Sequence, residues 1–135
     1  MADDVLLNKA ATIERCLQRI TEEYSGKESE ISSDYTKQDS IILNLQRACE
    51  AAIDAAMHQV RLNRLGIPQE SRDAFRLLEE ANLLPHELSN SMQAMVGFRN
   101  VVVHNYQKLN LAIVQSILKE RLDDFREFAK LIVSG

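Results

Sequence analysis

The apolar residues of this chain recur three and four positions apart almost from end to end, a spacing that belongs to amphipathic helices. Leu6, Ala10, Ile13, Leu17 and Ile20 make one stripe, and Ile41, Leu45, Ala48, Ala52, Ala56 and Val60 a second. Small residues dominate the later half of that second stripe, so a neighbouring helix can approach it closely. Ala74, Phe75, Leu77 and Leu78 mark a short stripe, and Leu88, Met92, Met95 and Val96 another. A last one runs through Leu111, Val114, Leu118, Leu122, Phe125, Ala129 and Ile132. Strands need frequent turns, and the chain holds only 4 Gly and 2 Pro, so an all-β fold is disfavoured.

Turn and cap signals set the boundaries. The first helix is expected over about Asp4 to Tyr24, ended by the polar run Ser25-Gly26-Lys27-Glu28-Ser29. The second starts near Thr36, where Thr36-Lys37-Gln38-Asp39 reads as a capping box, and ends with Gly66 as C-cap before Pro68. A short helix follows over about Ser71 to Ala81, and Pro85 falls in the first turn of the fourth. The fifth is expected from about Asn110 to Val133. Four longer helices and one short one, joined by brief loops, give an all-α fold class: an antiparallel four-helix bundle with an additional short helix. With 135 residues and 45% hydrophobic side chains, residues 1–135 read as a single domain able to bury a core without disulfides.

Composition narrows the chemistry. Cys16 and Cys49 lie inside helical patterns, away from any His or Cys at metal-ligand spacing, and read as buried thiols in a reducing compartment. The start, Met1-Ala2-Asp3-Asp4, has no basic or apolar leader pattern, and no apolar run reaches the length of a membrane span. The expectation is a cytoplasmic protein with no membrane contact, no metal and no cofactor. A net charge of −4 argues against broad attraction to nucleic acid, so any RNA contact has to come from a local basic patch.

One position breaks the fourth stripe. After Val96 the next residue on that face is Arg99, a guanidinium where the pattern asks for leucine. Arginine is rarely buried without a partner, so either the bundle opens there or another charge meets it. Asn100 and His104 are four apart and share a helix face, and Tyr106 follows near the start of a loop. These groups suit phosphodiester cleavage in RNA. The 2′-hydroxyl loses a proton as it attacks phosphorus, the departing 5′-oxygen gains one, and an imidazole serves either step near neutral pH. A guanidinium fork matches phosphate oxygens and stabilises the charge that develops on them. Spacing alone favours a structural ion pair, or a C-terminal His set against the helix dipole.

The stretch Phe98-Arg99-Asn100-Val101-Val102-Val103-His104-Asn105-Tyr106 resembles the Arg-x4-His-x-Tyr signature of the HepT branch of the HEPN superfamily. Gly66-Ile67-Pro68, Asp73-Ala74-Phe75-Arg76-Leu77-Leu78 and Leu84-Pro85 are similar in order and spacing to the same family. The resemblance implies a HEPN-like helical bundle that forms a homodimer, with two Arg–His motifs at a shared cleft. It implies a metal-independent endoribonuclease toxin with Arg99 and His104 catalytic, Asn100 supporting and RNA as substrate. It also implies an antitoxin partner, an MNT-type nucleotidyltransferase, that transfers AMP to the motif tyrosine, here Tyr106. An AMP phosphate at that position is expected to pair with Arg99 and so occupy the cation needed for substrate. The alternatives are an inactive HEPN subunit that only binds the nucleotidyltransferase or is modified by it, and a plain structural bundle. His58 and His86 read as solvated, Asp54 is unassigned, and Arg61, Arg64, Arg72 and Arg76 read as a mixed charged surface because acidic residues are interleaved with them.

Overall fold

The computed structural model describes residues 3–134. Six α-helices follow one another: α1 (Asp4–Tyr24), α2 (Tyr35–Leu62), α3 (Ser71–Glu80), α4 (His86–His104), α5 (Leu111–Glu120) and α6 (Leu122–Ser134). Short 3₁₀ turns lie at Glu28–Glu30 and Tyr106–Lys108, and no strand occurs among the described residues. Cross-helix partners show the directions. Lys9 meets Asp54 at 3.2 Å, whereas Glu23 meets Lys37 at 3.6 Å, so α2 runs back along α1. α3 and α4 form a second antiparallel pair, since Arg99 reaches Ser71 while His86 reaches Glu79. α6 lies on α1 and α2, and the stripes close over one apolar core. Phe75 of α3 and Phe128 of α6 meet in that core edge to face, with centroids 5.5 Å apart.

Helix ends differ from expectation in informative ways. The cap of α2 is Asp34, whose side chain accepts from the Lys37 amide at 3.0 Å, so the Thr36–Asp39 capping box does not form. Asp39 is thereby left on the outer surface of the second turn. At the other end the helix is closed by Arg64 (φ 54°), two residues before Gly66 (φ 139°), and Leu65 N–H bonds back to Val60 C=O at 3.0 Å. The expected fifth helix is divided at Arg121, whose backbone (φ −118°, ψ −7°) leaves the helical path. No Gly or Pro marks that break. It bends the chain so that Val114, Ile117 and Leu118 as well as Phe125, Phe128 and Ile132 reach the core.

Of the two histidines read as solvated, one departs from that reading. His58 is half-buried on α2 and bonds at 3.0 Å to Asp3, the N-cap of α1. That hydrogen bond, before any other influence, holds the Asp3 carboxyl below its usual range. His86 is exposed, as expected, but bonds Glu79 at 2.6 Å, which raises the imidazole's affinity for its proton. No helix among the described residues is long and apolar enough to cross a membrane.

Candidate active site

α4 continues without interruption through His104, so Asn100 and His104 do share a helix face. Arg99 is half-buried and turns toward α3, where its Nη2 donates to Ser71 Oγ at 3.3 Å. Its Nε is buried and finds no acceptor among the described residues. Such a group in a low-dielectric setting is costly unless something else meets it. The neighbouring thiol of Cys49 is not that partner. Burial pushes Cys49 up to about 12, Arg99 draws it only partly back, and the thiol stays protonated. Both cysteines are buried and free, as expected.

Beside Arg99 an open pocket of about 310 Å³ lies between the start of α3 and α4, lined by Glu70, Ser71, Arg72, Val96 and Asn100. Arg72 crosses α4 at Gly97, and a methyl group on Gly97 would stand 2.6 Å from the Arg72 Nη2. The glycine therefore makes room for the Arg72 guanidinium against α4. The Arg72 guanidinium, the Asn100 amide and the Ser71 hydroxyl, itself bonded to Arg99, offer donors to a phosphate diester, with the Glu70 carboxylate on the same rim.

His104 is the last residue of α4, exposed, with no side-chain hydrogen bond among the described residues. It is five residues beyond Arg99, which at about 100° per residue sets the two side chains roughly 140° apart around the helix. Helix phase within one chain therefore sets Arg99 and His104 on different faces of α4. Tyr106 is 48% exposed and turns to α2, its hydroxyl donating to Asp39 Oδ1 at 3.0 Å. Burial first, and then the Asp39 carboxylate, push its phenol above the ordinary value. Arg99 and Tyr106 thus face different neighbours, α3 and α2. The expected pairing of a Tyr106-borne phosphate with Arg99 is not prepared in this conformation.

The ribonuclease HepT-like family matches residues 13–132. The chain belongs to the HepT-like ribonuclease family. It is 51% identical over 130 residues to the mRNA nuclease HepT of Shewanella oneidensis, covering 96% of this chain and 97% of that protein. It superposes on the tri-AMPylated Shewanella oneidensis HEPN toxin in complex with MNT antitoxin with a TM-score of 0.93, at 49% identity over 98% of this chain and 99% of that one. A second solved structure, a toxin–antitoxin with AMP-PNP, gives 0.90 at 50% identity, over 96% of this chain and 98% of that one.

Within this HepT-like chain, sequence reasoning missed Ser71 and Asp39 near the motif, and read Arg72 only as part of a mixed charged surface. Ser71 and Arg72 are distant in sequence from Arg99, and only the α3–α4 hairpin brings them back. The arginine group read as one charged surface separates. Arg76 pairs with Asp73 at 2.7 Å, Arg72 turns over Gly97, and Arg61 and Arg64 stay exposed at the far end of α2. Asp54 is occupied by Lys9 and makes no contact with the motif. The signal for Arg72 was Gly97, a glycine inside a helix with no turn to explain it.

Proposed function

We propose that this chain is a metal-independent endoribonuclease, the toxin of a type VII (HEPN/MNT) toxin–antitoxin module, acting in the cytoplasm. The observation that carries this reading is Arg99, a half-buried guanidinium with an unmatched Nε, set beside a pocket that holds Arg72 and Asn100. RNA phosphate is the ligand those donors fit, and the nuclease named among its relatives supports the same reading. The divergence of Arg99 and His104 around α4 supports a shared site. In a two-fold dimer, each chain contributes a guanidinium and an imidazole to one cleft. One His104 then takes the proton of the attacking 2′-hydroxyl and the other protonates the leaving 5′-oxygen. The silencing partner is an MNT-type nucleotidyltransferase that attaches AMP to Tyr106.

The test is cleavage of a defined RNA by the purified chain, with its mass followed by light scattering. The expected result is a dimer whose product ends in a 2′,3′-cyclic phosphate or its hydrolysed form, unaffected by chelator and blocked by deoxyribose at the cut site. Cutting of the deoxyribose substrate, or full activity from a monomer, would overturn the mechanism.

Gly97→Ala separates the role of Arg72 from that of the fold. The new methyl meets only the end of a flexible side chain, and alanine favours the helix by about 1 kcal/mol. The denaturation midpoint should therefore hold or rise. Arg72 has to swing off α4, and KM for RNA should rise roughly tenfold, the scale of one charge-assisted hydrogen bond. An unchanged KM would remove Arg72 from the site.

A further inference from the structure

Asp39 is held outward by the way its neighbours are tied inward. Asp34 caps the helix one turn earlier, Lys37 is buried against Glu23 at 3.6 Å, and the Gln38 side chain donates to Ile31 C=O at 2.6 Å. Asp39 itself is exposed and meets no cation among the described residues, and its side-chain partner there is the Tyr106 hydroxyl at 3.0 Å. Both groups are open to a partner protein at one surface. We propose that Asp39 is the general base for AMP transfer to Tyr106, accepting the phenolic proton as the tyrosine oxygen attacks a nucleoside triphosphate. This inference rests on Tyr106 being the AMP acceptor.

The chemistry calls for such a group. A phenol with an ordinary pKa near 10 is almost wholly protonated at neutral pH, and Tyr106 sits above that value. Its oxygen is a poor nucleophile until the proton leaves, so removal has to accompany attack. In the step, the Tyr106 O–H bond breaks and its proton passes to Asp39. A bond forms from the phenolic oxygen to the α-phosphorus of ATP, the bond from that phosphorus to the β-phosphate oxygen breaks, and pyrophosphate departs. An aspartate accepting the proton of a hydroxyl that attacks a nucleotide phosphorus is a known arrangement in phosphoryl transfer. Asp39 supplies it from the acceptor's side of the complex, already at hydrogen-bond distance from the reacting atom.

The experiment uses the complex of this chain with its nucleotidyltransferase, ATP labelled at the α-phosphate, and magnesium. Asp39→Asn keeps the shape and the hydrogen-bonding oxygen but cannot take the proton. Initial incorporation of AMP at Tyr106, located by mass spectrometry, should fall roughly 10²–10⁴-fold, the usual scale for a positioned base. Gel filtration should show the complex intact, and the residual rate should climb with pH where the wild type levels off. Asp39→Glu should recover part of the rate. Modification of Asp39→Asn at the wild-type rate would overturn the proposal, as would a loss explained by failure of the complex to form. A wild-type chain that is silenced with no AMP on Tyr106 would overturn instead the reading on which the proposal rests.

Discussion

Replacing His104 by alanine should lower RNA cleavage roughly 10²–10⁴-fold, the loss that follows removal of a positioned acid or base. The fold has almost nothing at stake in this side chain. It is exposed on the last residue of α4 and makes no side-chain hydrogen bond among the described residues. Surface substitutions of that kind leave stability within about 0.5 kcal/mol. Thermal unfolding and dimer mass should therefore stay as in the wild type while activity collapses, and induced expression of the variant should no longer arrest growth. Arg99→Ala makes a less clean comparison, because it also removes the contact with Ser71 and empties a half-buried site. Should the wild type prove as inert as His104→Ala on every RNA offered, the chain would be the inactive subunit that is bound or modified by a nucleotidyltransferase.

Tyr106→Phe should abolish AMP incorporation and, with it, silencing by the partner's catalysis. Phenylalanine keeps the ring and removes the oxygen proposed to receive the nucleotide. In the resting chain the lost contact is one exposed hydrogen bond to Asp39, a small structural change. The variant should thus remain an active nuclease, and co-expression of the nucleotidyltransferase should no longer restore growth. The geometry also gives the effect expected of an adduct on Tyr106. An AMP on Tyr106 replaces the proton that bonded Asp39 with a phosphate diester, and two negative groups then face each other at that point. On the proposed reading, the modified ring would leave α2 and the bulky nucleotide would cover the dimer cleft. Continued silencing of Tyr106→Phe by a catalytically competent partner would show that another residue carries the switch.

Much of this protein could be read from its residues in order. A stripe of apolar side chains at helical spacing specifies a helix whatever it packs against, so α1, α2, α3 and α4 lay close to where the pattern put them. Arg99 stood out because a charge interrupted a buried face, and the motif resemblance then supplied the family. What the linear pattern could not contain were contacts between residues far apart in the chain. The cap of α2 was decided by which of two nearby side chains met the free amides, and Asp34 did so, leaving Asp39 for Tyr106. The break at Arg121 has no Gly or Pro to announce it, because it follows from where α5 and α6 each find the core. Ser71 meets Arg99, and Arg72 meets Gly97, only when α3 folds back on α4. Local spacing fixes the secondary structure, since neighbouring dihedrals are set by neighbouring residues. The partners of its charged side chains are fixed by packing, because hydrogen bonds act over a few ångströms and only the folded chain determines which groups come that close.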